Sequence, residues 1–293
     1  MRNDRLSNGE MNNDKVRNNK SNDDNASNNK LSSEVPGKYT VITGASSGIG
    51  YAAAKEFAKR GKNLLLIARR IEKLNALKSE LANEYPGVEV ILVQFDLTET
   101  DKLEELFLSL SDYEIETWIN NAGVGLYSLI ENQTIEKTVN LIKLNIEALT
   151  LFSILFVKKY NGVAGTQLIN VSSAGGYTMV PTAVTYCASK FYVSSFTESL
   201  ALELRASNSP LQVKVLAPAA TQTEFGKRAN DVEEYNYDKA FGTYHSSQQV
   251  AEFLLELYDS KQIVGLVDRT SFELQLSEAL FPYAGSGARN QKI

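Results

Sequence analysis

From Lys38 onward the chain alternates between two hydrophobic rhythms. Short runs dense in aliphatic and β-branched residues occur at Tyr39–Thr43, Asn63–Ala68, Val88–Gln94, Thr117–Ile119, Gln167–Val171, Val213–Leu216 and Ile263–Val267. Between them, Ile49–Lys59, Ile71–Glu84, Asp101–Leu110, Ile135–Lys159 and Thr185–Arg205 space apolar residues three and four apart, which puts them on one face of a helix. Apolar strands alternating with amphipathic helices are the signature of a parallel sheet covered on both faces. The pattern predicts an α/β fold, a single doubly wound parallel sheet of about seven strands flanked by helices on both faces.

The rhythm is missing before Pro36-Gly37. MRNDRLSNGEMNNDKVRNNKSNDDNASNNKL is crowded with Asn, Asp, Ser and Lys and cannot bury enough apolar surface to offset the entropy of ordering it. Residues 1–37 are expected to form a disordered tail and residues 38–293 one domain, since open α/β sheets of about 250 residues occur undivided. The tail has neither the apolar core of a secretory signal nor the acid-poor, Arg-rich make-up of a transit peptide.

Composition then narrows the function classes. A formal net charge of -5 leaves no basic footprint, which argues against nucleic acid and anionic membrane surfaces and favours a small-molecule partner. The single cysteine, Cys187, rules out an internal disulfide and a cysteine-cluster metal site and fits a reducing cytoplasm. The apolar stretch Leu149–Val157 is shorter than the roughly 20 residues of a membrane helix and ends in Lys158-Lys159, so it reads as a buried helix without membrane insertion.

The stretch TGASSGIG, residues 43–50, has two incompatible readings. Gly44-Ala45-Ser46-Ser47-Gly48 satisfies the G-x-S-x-G pattern of a nucleophile elbow, which needs an acid and a histidine after it. The only histidine, His245, lies in a stretch without a clear element, and the motif follows the first strand. As a phosphate cradle every position has a physical role. Gly44 permits the turn off the strand, Gly48 lets backbone amides approach a diphosphate, Gly50 lets the helix pack, and the helix N-terminus adds partial positive charge. Ser46 is then part of the floor, not an attacking group.

Three further motifs follow in order: Asn120-Asn121-Ala122-Gly123 after the fourth strand, Val171-Ser172-Ser173 after the fifth, and Tyr186-Cys187-Ala188-Ser189-Lys190 on the next long helix. With TGASSGIG and the Pro218 turn after strand six, the chain from Lys38 to about Arg269 resembles the short-chain dehydrogenase/reductase family. The resemblance implies a Rossmann-type, NADP(H)- or NAD(H)-dependent oxidoreductase moving hydride between the nicotinamide and a carbonyl or secondary alcohol. Tyr186 and Lys190 stand one helical turn apart on one face. A neighbouring ammonium stabilises phenolate and is expected to pull the tyrosine below its ordinary value of about 10, making Tyr186 the general acid/base.

By resemblance, Ser173 hydrogen-bonds the substrate oxygen, with Ser172 the rival hydroxyl, and Lys190 holds the nicotinamide ribose. Asn145 matches the family's helix asparagine, whose main chain supports a water leading to the lysine; its residue type alone suggests local bonding inside a helix. The resemblance places the cofactor against Gly44, Ser46, Ser47, Gly48, Ile49, Gly50, Asn121, Ala122, Gly123, Tyr186 and Lys190. It places Asp96 and Leu97 on the adenine, although Asp96 equally suits the N-cap region of the next helix. Thr221 and Thr223 offer partners for the carboxamide and phosphate, while Ala219 stands where the family commonly has glycine and implies a negative φ or strain.

Cofactor choice is argued at the end of the second strand. Ala68 occupies the position where an NAD enzyme places a carboxylate on the ribose, and Arg69 follows, able to pair a 2′-phosphate bidentately, with Arg70 beside it. NADP(H) is favoured; otherwise the arginines are a solvated helix start. Residues 224–247 lie where the family carries its substrate lid, with Phe225, Tyr235, Tyr237, Phe241 and Tyr244 as pocket walls or exposed loop tyrosines. Leu151, Phe152, Leu155, Phe191, Phe196 and Leu200 give two long helices more apolar surface than one sheet face covers, and the resemblance implies a homodimer or homotetramer. The alternative is an NADP(H)-binding regulatory or sensor protein with little turnover. Such a protein is expected to have lost Tyr186, Lys190 or Ser173, and all three are present.

Overall fold

A computed structural model describes residues 37–284, so nearly all of the expected tail lies outside the described residues. The strands are β1 (Tyr39–Thr43), β2 (Asn63–Ala68), β3 (Val90–Gln94), β4 (Ile115–Asn120), β5 (Gln167–Val171), β6 (Gln212–Ala217), the two-residue β7 (Thr221–Gln222) and β8 (His245–Ser246), β9 (Val264–Val267) and β10 (Leu274–Ser277). The main sheet runs β10-β9-β6-β5-β4-β1-β2-β3. Every pair in it is parallel except β10 with β9. The seven predicted strands are present, and the sheet gains an eighth, β10. Four residues are too few for their periodicity to announce an edge strand.

Strand side chains alternate between two cores. Ile42, Leu64, Leu66 and Ile119 point to one face, covered by α1 (Gly48–Lys59), α2 (Ile71–Glu84) and α9 (Ser247–Asp259). Val41, Leu65, Ile67 and Trp118 point to the other, covered by α3 (Leu103–Ser109), α5 (Leu149–Tyr160) and α6 (Val184–Ala206). Each aliphatic side chain taken fully out of water contributes roughly 1.5–3 kcal/mol, so two-sided burial of the central strands is the main stabilising term. Helix α9 was not among the predicted elements, although Ser246 and Gln249 form a capping box ahead of its apolar face.

The predicted helix Ile135–Lys159 is interrupted. It consists of α4 (Ile135–Ile142), a π-helical stretch Lys143–Ala148, and α5. The whole span Ile135–Tyr160, 26 residues, is long and apolar enough to cross a membrane by length and composition alone, but Leu141, Ala148, Phe152 and Phe156 are buried in the protein. Phe152, expected among the surplus apolar surface, sits 4.7 Å from the Trp118 ring in the core. Leu151, Leu155, Phe191, Phe196 and Leu200 are half-buried, and the most exposed apolar side chains of these helices are Ile135, Val139, Ile142 and Ile154, with Val184 and Tyr192 of α6. Two short helices, α7 (Phe225–Ala229) and α8 (Tyr237–Ala240), lie between β7 and β8.

Buried polar groups tie the carboxyl ends of the central strands to the helices. Asn120 Nδ2 donates to Asn170 Oδ1 at 2.9 Å, Asn170 Nδ2 donates to Thr197 Oγ1 at 3.0 Å, and Trp118 Nε1 donates to Asn120 Oδ1 at 2.8 Å. Glu198, also buried, accepts from the Tyr177 hydroxyl and from the backbone N–H groups of Leu280 and Phe281, pinning the loop after β5 and the segment near 280 to α6. Replacing Asn170 with alanine removes the acceptor of Asn120 and a donor to Thr197, groups that water cannot reach. Urea unfolding of Asn170→Ala is expected to show a loss of roughly 1–3 kcal/mol, and an unchanged midpoint would mean the network contributes nothing to stability.

Candidate active site

At the end of β1 the chain turns through Gly44, whose φ is 69°; a Cβ there would come within 2.9 Å of Ala122 Cα. Gly48 also has a positive φ, 59°, and its missing Cβ leaves room for Thr223. Gly50 acts differently. A Cβ there would meet the Gly44 carbonyl oxygen at 2.6 Å, so this glycine packs α1 against the turn and does not line the cavity. The N-cap, Ser47, makes no side-chain cap, and the first turn of α1 holds no acidic residue. Uncapped N–H groups and the positive end of the helix dipole therefore face the cavity, an arrangement that suits an anion.

Ser46 is not poised as a nucleophile. Its hydroxyl accepts from the Arg70 guanidinium at 3.1 Å, while His245 is packed against Phe253 and Phe272. Arg70 also donates to Ser47 Oγ and to a Glu224 oxygen, each at 2.8 Å. Arg69, the arginine favoured for the phosphate, has a side chain 58% exposed and pairs with Asp96 at 3.4 Å. The second arginine thus sits on the cradle and the first at its rim. Burial by itself would raise the Glu224 carboxyl, but hydrogen bonds from Lys73 and Arg70 outweigh it and hold the group down to about 2. Asp96 accepts from Thr98 N–H and hydroxyl at 3.0 and 2.8 Å, closing a local turn before α3 while also lining the cavity with Leu97.

Across the floor, the carboxyl ends of β1 and β4 are clamped together. Thr43 Oγ1 accepts from the N–H groups of Asn121 and Ala122 at 3.0 Å each, and Asn121 Nδ2 donates to the Thr43 carbonyl at 2.8 Å. Asn145 lies behind this floor in the π-helical stretch. Its side chain brackets Val124, accepting from N–H and donating to C=O at 2.9 Å, and donates to Ser189 Oγ at 3.1 Å. It neither lines the cavity nor bonds locally; it positions the strand-end loop. The expectation that the asparagine is bonded within its own helix is corrected accordingly.

The two rival serines separate by their partners. Ser172 Oγ donates to the Lys190 carbonyl at 2.9 Å and pairs with Ser194 Oγ at 2.7 Å, a structural role. Ser173 Oγ accepts from Gly175 N–H and lines the cavity with Tyr186. Lys190 Nζ donates to the Val171 carbonyl at 2.9 Å and stands 5.9 Å from the Tyr186 ring centroid. Burial pushes the Tyr186 phenol up to about 12, against the opposing effect of the Ser173 hydroxyl, and burial takes the Lys190 ammonium down to about 8. The expected downward pull of lysine on tyrosine is therefore absent. The ammonium is engaged by a carbonyl and lies over the ring, so desolvation prevails for both groups.

These pieces line one cavity of about 410 Å³. It runs from Gly44, Ser46, Ser47, Gly48 and Ile49 past Arg69 and Asp96, across Asn121, Ala122 and Gly123, to Ser173, Tyr186, Lys190, Thr221 and Thr223. Ala219 does not have a positive φ, so the alanine is accommodated without left-handed strain. The far wall is aromatic: Tyr127 and Phe225 stand 5.6 and 5.4 Å from the Tyr186 ring. Tyr237, expected as either a wall or an exposed loop residue, is buried, and its hydroxyl accepts from Gly226 N–H at 3.1 Å. Tyr235 and Phe241 line the same wall.

Comparison with known proteins agrees with this architecture. The profile described as short chain dehydrogenase matches residues 38–234. An uncharacterized oxidoreductase of Mycobacterium tuberculosis is 33% identical over 187 residues, covering 63% of this chain and 73% of that protein. Human 17-beta-hydroxysteroid dehydrogenase type 3 is 34% identical over 197 residues, covering 66% of this chain and 62% of that protein. Among solved structures, a short-chain dehydrogenase from Sphingobium yanoikuyae in complex with NADPH is 31% identical with a TM-score of 0.72, covering 80% of this chain and 89% of that one. A Burkholderia phymatum family member in complex with NAD shares the fold at 23% identity, with a TM-score of 0.68 over 78% of this chain and 88% of that one. With the glycine turn, the Asn120–Gly123 floor and the Tyr186–Lys190 pair on one cavity, the chain belongs to the short-chain dehydrogenase family of oxidoreductases.

Proposed function

We propose that the protein is an NADP(H)-dependent oxidoreductase acting on a carbonyl or secondary alcohol, with Tyr186 as general acid/base. The observation that carries this reading is the single cavity joining an uncapped helix N-terminus, two arginines at the end of β2, and the Ser173, Tyr186 and Lys190 side chains. The residues fit the cofactor. The α1 N–H groups and Gly48 would hold the diphosphate, Arg70 and Ser46 with Arg69 the 2′-phosphate, Asp96 and Leu97 the adenine end, and Lys190 the nicotinamide ribose. When bound, the nicotinamide supplies or accepts the hydride.

The chain's own part is proton handling and orientation. Ser173 and Tyr186 would together hold the substrate oxygen, and Tyr186, kept protonated by burial, delivers its proton as negative charge develops there. Lys190 is the more acidic of the two buried groups and would return a proton to the tyrosine. The aromatic wall of Tyr127, Phe225 and Tyr237 excludes water from the reacting end. Asn145 would act at one remove by fixing the loop that carries Gly123. The same reading places a homodimer or homotetramer in a reducing cytoplasm, with the exposed faces of α4, α5 and α6 as the paired surface.

Four outcomes test it. Tyr186→Phe keeps the ring and removes only the proton, so it should lower kcat by at least about a hundredfold while NADPH binding stays intact. In the unmodified enzyme carbonyl reduction should decline as pH rises through about 8, where Lys190 loses its proton, and alcohol oxidation should gain over the same range; a profile flat to pH 10 would remove Lys190 from the proton path. Fluorescence titration of Arg70→Ala should show NADPH weakened about tenfold or more and NADH little changed, with a smaller selective loss for Arg69→Ala. An NADH preference in the unmodified protein would overturn the cofactor assignment. Light scattering at micromolar concentration should return a dimer or tetramer, and a monomer would count against the paired surface.

A further inference from the structure

The turn between β9 and β10 presents a cation to the active-site cavity that no described group uses. Asp268 Oδ1 accepts from the N–H groups of Thr270 and Ser271 at 2.8 Å each, and Phe272 N–H donates to the Asp268 carbonyl at 3.0 Å. Phe272 takes a positive φ of 59°, and its ring lies 5.8 Å from His245. A turn held at this many points has little freedom, and both Arg269 and Phe272 line the cavity that contains Tyr186.

Every other cation on that cavity has an assigned partner. Arg69 pairs with Asp96, Arg70 and Arg228 pair with Glu224, and Lys190 donates to the Val171 carbonyl. Arg269 makes no ion pair or hydrogen bond among the described residues, and the adjacent Asp268 carboxylate is turned to its own backbone. Arg269 is exposed, at the mouth of the cavity that Cys187 and Tyr186 also line. The same cavity is lined by apolar Val180, Ala183, Phe225 and Phe272, with Phe225 5.4 Å from the Tyr186 ring.

We infer that Arg269 is the docking point for a carboxylate on the substrate, which is a carbonyl compound with an apolar or aromatic body and an acidic group remote from the reacting carbon. This rests on the reading of Tyr186 as the acid that protonates the carbonyl. The planar guanidinium takes a carboxylate through two parallel hydrogen bonds, and at the mouth the acid keeps part of its hydration while the apolar body fills the aromatic end. A single unpaired cation matches one negative charge. A phosphate, with close to two at neutral pH, would be left half-compensated against the aromatic wall.

The test uses the NADPH-loaded protein with 4-oxo-4-phenylbutanoate and its methyl ester, followed by calorimetry and by NADPH oxidation. The acid is expected to bind at least tenfold more tightly than the ester and to show a correspondingly lower KM. In Arg269→Leu that difference should collapse, in Arg269→Lys it should survive in part, and NADPH titration verifies that each variant is folded. Equal binding of acid and ester to the unmodified protein, failure of both to bind, or an acid preference that persists in Arg269→Leu would overturn the inference. Arg269-dependent acid binding without turnover would instead refute the role given to Tyr186, so the two readings fail separately.

Discussion

The site depends on a clamp between two strand ends. β1 lies beside β4, and from these neighbours the chain departs to opposite faces of the sheet, which opens a crevice at their carboxyl edge. Thr43 and Asn121 close its floor with hydrogen bonds in both directions. The glycine turn starts from Thr43, and the segment that approaches Lys190 starts from Asn121. A shift of one strand along the other would separate the glycine turn from the Tyr186–Lys190 pair. The two-sided apolar burial of β1 and β4 holds the sheet together, but these few polar contacts fix how its ends meet.

Much of this arrangement was legible in the chain because it rests on local rules. Strand and helix periodicities, the glycine spacing and the Tyr186-to-Lys190 interval are all short-range, and the elements they predict are present with ends moved by up to two residues. Illegible features depended on distant partners. The π-helical stretch at Lys143–Ala148 carries Asn145, which brackets Val124, and no pattern within the helix signals it. Sequence position favours Arg69 for the phosphate, and only the placement of Ser46 and Glu224 reveals Arg70 as the cradle arginine and Arg69 as the rim one. The antiparallel β10 was too brief to register, although it completes the turn that carries Arg269.

Electrostatics inside the cavity follow burial more than proximity. Helical spacing correctly puts the lysine near the tyrosine, yet spacing says nothing of which atom the ammonium chooses, and here it chooses the Val171 carbonyl. Two buried groups of opposite charging tendency then both resist ionisation, one moving up and the other down. The phenol is consequently held protonated, while burial takes the lysine down toward neutrality.

Glu224 bonds the start of α7 to the cradle. It is the residue just before α7, and it shares the Arg70 guanidinium with Ser46 and Ser47. An anion drawing Arg70 further onto the cradle would compete with the carboxylate that fastens the first turn of α7. By reciprocity, whatever strengthens the Glu224 contact to Arg70 would weaken the hold on that anion by the same factor. Two contacts that look separate in the fold are therefore coupled through a single side chain.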